Sequence, residues 1–85
     1  MKWYRKSAEQ GHAKAQANLG FMYGTGNGVL QDNVYAHIWL NIAASTGNAD
    51  AVENRDIVAK KMMTGQIVKA QELARECVRK KYKDC

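Results

Sequence analysis

The sequence predicts an all-α chain, an α/α repeat solenoid, and three observations predict it. Displaced by 36 residues, the segment WYRKSAEQGHAKA (3–15) falls on WLNIAASTGNADA (39–51). Trp3 then pairs with Trp39, Ala8 with Ala44, Gly11 with Gly47, Ala13 with Ala49 and Ala15 with Ala51, and Asn18 and Asn54 keep the register. A period of this size is one helix–turn–helix solenoid unit. The second observation is the complete absence of proline, which suits a mostly helical chain. The third is that apolar residues recur at helical spacing between glycine-marked breaks.

Each element has its own signal. Residues 2–10 read as a short helix that stops at Gly11, where glycine can take the left-handed conformation of a helix C-terminus. Residues 13–23 form the next helix, with Ala15, Leu19, Met22 and Tyr23 on one apolar face. The run from Gly24 to Gly28 is a glycine-rich turn between helices. Asp32 is a good N-cap for a helix over 33–46, whose apolar stripe is Tyr35, Ala36, Trp39, Leu40 and Ala43, and Gly47 ends it. Residues 49–62 make a fourth helix. Thr64 is expected to cap a fifth running to about residue 81, with Ile67, Ala70, Ala74, Cys77 and Val78 on its apolar side. Small residues (Ala8, Ala13, Ala15, Gly20, Ala36, Ala43, Ala44, Ala51) stand where helices should cross, and Trp3, Trp39, Leu19 and Tyr23 fill the gaps between them.

Composition narrows the function classes. The chain has 85 residues, 46% hydrophobic and 25% charged, which allows one soluble domain near the lower size limit for a single core. No apolar run is long enough to cross a bilayer. The N-terminus carries no apolar stretch of signal-peptide type, so the default expectation is a soluble, cytoplasmic chain. The net charge of +5 is unevenly placed: residues 1–59 balance, and the whole excess lies in 60–85. Such a basic end can attract nucleic acid or anionic lipid. It reads equally as the solvated face of a terminal helix.

Candidate chemistry is sparse. Cys77 and Cys85 fit neither a zinc pattern nor a Cys-x-x-Cys redox site. On one straight helix they would lie about 12 Å apart along the axis, too far for a disulfide. A bridge would need the helix to end soon after Cys77 and the tail to fold back. The expectation is instead a buried apolar Cys77 and a disordered Cys85. His12 and His37 read as ordinary surface or hydrogen-bonded histidines rather than metal ligands. The Gly24–Gly28 run lacks the Lys-Ser/Thr ending and the preceding strand of a phosphate loop. Ser7 and Ser45 have no recognisable His/Asp partner. No catalytic residue, metal or cofactor is expected.

The residues Ala13, Ala15, Gln16, Leu19, Gly20, Tyr23, Gly26, Gly28, Val29, Asp32, Ala36, Trp39, Ala43, Ala44 and Gly47 together resemble the Sel-like repeat family, relatives of tetratricopeptide repeats. The resemblance implies about two repeats plus a C-terminal capping helix within a single domain, 1–85. These are a partial repeat over 2–11, a full repeat over 13–47, and a degenerate capping segment over 49–83. The last departs from the pattern, with Arg55-Asp56 where Leu-Gly is expected and Ala59 in place of the tyrosine.

The resemblance also implies a protein–protein interaction scaffold, in which the first helix of each pair lines a concave groove. Lys14, Ala17, Asn18 and Phe21 would then face a partner, with Asp50, Glu53, Asn54 and Ile57 one unit later. The asparagines either pair with the backbone of an extended peptide or bridge helix to loop within the repeat. Phe21 is the aromatic anchor. Trp3 and Tyr4 lack a preceding helix to cover them, so either the chain is a piece of a longer solenoid or this end self-associates. The competing function is nucleic-acid or anionic-membrane binding through Arg75, Arg79, Lys80, Lys81 and Lys83; no nucleic-acid module signature supports it.

Overall fold

Asp32 and Asn48 show how local chemistry sets the helix boundaries. In the computed structural model, which describes residues 2–83 and residue 85, Asp32 Oδ1 accepts the Tyr35 N–H at 3.0 Å and Asn48 Oδ1 accepts that of Ala51 at 2.9 Å. Each side chain satisfies a donor that a helix N-terminus leaves unpaired. Five helices result: α1 (Lys2–Glu9), α2 (Ala13–Thr25), α3 (Asn33–Ser45), α4 (Ala49–Ala59) and α5 (Thr64–Arg79). No strand occurs among the described residues. The all-α repeat architecture is as expected.

Boundaries differ from the sequence reading in several places: α4 stops at Ala59 rather than 62 and α5 at Arg79 rather than about 81, and two further differences have a local cause. The N-cap of α5 is Met63, not Thr64, because Gln66 reaches back and its Oε1 accepts the Met63 N–H at 3.0 Å. Thr64 is simply the first helical residue. Helix α2 runs to Thr25, so Gly24 belongs to the helix, where it is buried beside Val58 and Ala36. The turn that follows uses left-handed backbone at Gly26 (φ 73°) and Gly28 (φ 80°), and the Gln31 side-chain amide donates to the Gly24 carbonyl at 3.1 Å to close it.

Helix α3 is the centre of the molecule. It packs on α2, α4 and α5, while α1 packs on α2. Trp39, Leu40 and Ala36 of α3 and Leu19 of α2 are fully buried. The α2–α3 approach is close because position 20 is glycine: a methyl there would lie 2.7 Å from Leu40 Cγ and 3.0 Å from the Ala36 carbonyl oxygen. Helix α1 is tied down by polar contacts. Gln16, fully buried, donates from Nε2 to the Ala8 carbonyl at 3.0 Å. Arg5 hydrogen-bonds the Tyr23 hydroxyl and lies 5.9 Å from the Tyr23 ring centroid, and Tyr23 stacks on Tyr35 at 4.8 Å.

The departure at Arg55-Asp56 has a structural consequence. Leu19 and Gly20 let α2 press against α3. Their counterparts in α4 are an arginine that reaches Asn41 Oδ1 at 3.4 Å and an exposed aspartate. Helix α5 accordingly packs chiefly on α3, through Ala70, Ala74 and Cys77, rather than on α4.

The cysteines correct the sequence reading. Cys77 is buried as expected, but it is disulfide-bonded to Cys85, with Cα atoms 5.6 Å apart. The straight-helix distance does not apply because α5 ends at Arg79 and the chain reverses. Lys81 and Tyr82 both take left-handed backbone, φ 57° and 67°, a conformation that costs L residues about 1–2 kcal/mol each. The Tyr82 N–H donates to the Cys77 carbonyl at 2.8 Å, which brings Cys85 back over Cys77.

Candidate partner-binding groove

Lys14, Ala17, Asn18 and Phe21 recur at i, i+3, i+4 and i+7 and so share one face of α2. Asp50, Glu53, Asn54 and Ile57 repeat that pattern on α4. Because α2 and α4 touch directly, flanking α3, their two faces meet in a depression of about 310 Å³. It is lined by Lys14, Ala17, Asn18, Phe21, Asp50, Glu53 and Asn54, with Asn48 added from the α4 N-cap. Ile57, 49% exposed, does not line it. It stands on the last turn of α4, one residue before Val58, which packs against Gly24 of α2. Ala17 forms floor rather than a free surface, being 7% exposed.

The walls differ in character. The α2 side offers a cation and an aromatic ring, Lys14 and the half-exposed Phe21, and the α4 side offers the carboxylates of Asp50 and Glu53. Among the described residues the one ion pair is Arg55–Asp56, at 3.4 Å, so these three charges face solvent without a salt-bridge partner. The side chains of Asn18 and Asn54 make no hydrogen bond among the described residues, and the helix–loop bridge weighed for them is not seen. Sequence reasoning misses Asn48. Its N-cap pattern, an asparagine directly after Gly47, is the signal that locates it.

A second, shallower depression adjoins the first. Trp3, Tyr4 and Ser7 of α1 line it with His12, Lys14, Ala15 and Asn18, so Lys14 and Asn18 belong to both. Trp3 is 78% exposed, whereas Trp39, its counterpart one repeat later, is completely buried beneath neighbouring helices.

The histidines divide. His12 is exposed, as expected, at the start of α2. His37 is neither a surface nor a satisfied histidine: it is 2% exposed and its Nδ1 has no hydrogen-bond partner among the described residues. It lies on the half of α3 that packs against α4. Burial, reinforced by the Arg55 charge, lowers its pKa below the ordinary 6.5, with Asp56 opposing. The basic residues Arg75, Arg79, Lys80, Lys81 and Lys83 are all exposed; Arg75 and Arg79 alternate with Glu72 and Glu76 on α5, whereas Lys80, Lys81 and Lys83 lie beyond its end, in the C-terminal reversal.

Comparison with known proteins bears on the family and the fold. The Sel1 repeat matches residues 1–12 and 13–48. The chain belongs to the Sel1 repeat family. It is also similar to the crystal structure of a protective antigen present in uropathogenic Escherichia coli strains, which displays an SLR fold. The two are 35% identical with a TM-score of 0.86, over 94% of this chain and 18% of that one. The Sel1 chain thus spans less than a fifth of that protein. Among curated proteins no sequence matches it significantly. As a Sel1 repeat chain it is a helical scaffold of the kind used in protein–protein interaction. No described helix is long and apolar enough to cross a membrane.

Proposed function

We propose that this Sel1 chain holds an extended peptide segment of a partner protein in the groove between α2 and α4. The observation that carries the reading is the convergence of Asn18, Asn54 and Phe21 on one concave surface. An amide side chain both donates and accepts, so two unengaged asparagines can match the alternating N–H and C=O groups of a peptide backbone. Phe21 supplies the apolar anchor, since aromatic residues dominate interface energies. Lys14 on one wall and Asp50 with Glu53 on the other set the direction of the bound segment, favouring a peptide with a basic side chain toward α4.

Two helical faces make a short groove, and affinity for one peptide should be modest, about micromolar.

The test is selection from a random peptide display library, followed by titration of the selected peptide into isotopically labelled protein. Shifts should concentrate on Lys14, Asn18, Phe21, Asp50, Glu53 and Asn54. Phe21→Ala should weaken binding about tenfold or more, a loss typical of an interface anchor, with no change in helicity. Selected peptides whose shifts map elsewhere, or unchanged affinity in Phe21→Ala, would reject the groove.

A further inference from the structure

We propose that the Cys77–Cys85 disulfide is a redox latch that fastens the C-terminal turn onto the α1–α2 corner, and with it one end of the groove. The reversal after α5 holds two consecutive non-glycine residues, Lys81 and Tyr82, in left-handed backbone. L residues do not stay there unless surrounding structure holds them. Here the restraint is partly covalent: the disulfide closes over this turn and reinforces the Tyr82 N–H bond to the Cys77 carbonyl. The turn sends the Tyr82 ring to a distant part of the chain. A methyl placed on Gly11 would lie 3.2 Å from Tyr82 Cε2, so the ring rests on the bare backbone of the α1–α2 corner.

That corner leads directly into the groove. Gly11 and His12 donate to the Ala8 and Ser7 carbonyls, and the His12 carbonyl accepts the first helical bond of α2, from Gln16. Lys14 and Asn18, on the first turns of α2, form part of the groove lining. The latch therefore joins the last helix to the N-terminal end of α2, two segments that adjacent-helix packing leaves apart.

Opening the latch is ordinary thiol–disulfide chemistry. An external dithiol supplies two electrons and two protons, the Sγ–Sγ bond breaks to give two thiols, and the dithiol closes into its own disulfide. Attack falls first on Cys85, which is partly exposed, because Cys77 is only 2% exposed. Once the bond is cut, Lys81 and Tyr82 return to right-handed or extended backbone and the ring leaves Gly11. The latch is closed in an oxidising compartment and open where thiols are kept reduced. Its closed form does not fit the cytoplasm expected by default from the sequence.

The test is amide hydrogen exchange across residues 9–16 of the full chain, oxidised and then reduced with dithiothreitol, alongside Cys85→Ser and Tyr82→Ala. Reduction and Cys85→Ser should each speed exchange at Gly11, His12 and Gln16 about tenfold or more, with the α3 core unaffected. Tyr82→Ala should do the same with the disulfide intact, and it decides the matter if Cys85→Ser fails to fold. Unchanged exchange at the corner in the reduced chain or in Tyr82→Ala would overturn the latch. So would two free thiols in the unreduced protein. No peptide is needed for this readout, so its failure is separate from failure of the groove.

Discussion

Gly20→Ala is expected to destabilise the chain by about 1–3 kcal/mol, the usual cost of forcing one extra carbon into a packed contact. The added methyl would meet Leu40 and the Ala36 backbone, neither of which can withdraw without separating α2 from α3. Gly65→Ala is the control: nothing lies within 4 Å of its added Cβ, and alanine in a helix should be neutral to mildly stabilising. Urea denaturation of both variants checks the contrast, and equal midpoints would refute the close approach. At His37 the lowered pKa fixes the sign of a pH effect. The unfolded histidine takes its proton near 6.5, while the folded one resists protonation until a lower pH. Its contribution is therefore fully present above 6.5 and is lost as pH falls from there toward the folded-state value. Thermal unfolding followed from about pH 7.5 to 5 should show this loss, and His37→Gln should flatten it. An unchanged slope in that variant would contradict the burial.

Helix boundaries divide into those the sequence declares and those it hides. Asp32, Gly11 and Gly47 are legible because each acts on its immediate neighbours: a side chain accepting an N–H three residues on, or a glycine taking positive φ. Asp32→Ala is accordingly expected to cost about 0.5–2 kcal/mol. Thr64→Ala should cost much less, because the cap of α5 is made by Gln66 and the Met63 backbone. Chemical denaturation of the pair distinguishes the two, and an equal loss in both would mean that Thr64 caps after all. The hidden features join residues far apart in sequence. Arg5 on Tyr23, Gln16 on Ala8 and Tyr82 on Gly11 follow from packing, and no periodicity marks them. The disulfide is hidden for a related reason. It depends on a reversal through two left-handed residues, and the lysine and tyrosine found there carry none of the glycine signal that marks the other helix ends.

At the scale of the molecule, the repeat register places α2 and α4 on one side, and their i, i+3, i+4 patterns make a groove without any further requirement. This is why most of the lining is readable from the sequence. Asn48 and the exclusion of Ile57 are not, since they depend on where α4 begins and on how its last turn is seated in the packed molecule. The departure from the repeat at Arg55-Asp56 weakens the packing between α4 and α5, and α3 carries the C-terminal part of the molecule instead. The groove reading and the basic surface of α5 make opposite demands on salt. Phosphate contacts release counterions and fail as salt rises, whereas an aromatic anchor in a concave site is much less affected. The most direct measurement is therefore affinity capture from lysate, with and without nuclease treatment, at low and high salt, comparing the native chain with Phe21→Ala. A discrete protein that survives high salt on the native chain and is lost from Phe21→Ala is the predicted result. Retention of nucleic acid or lipid alone, released by salt and equal for both chains, would contradict the groove and make α5 the working surface.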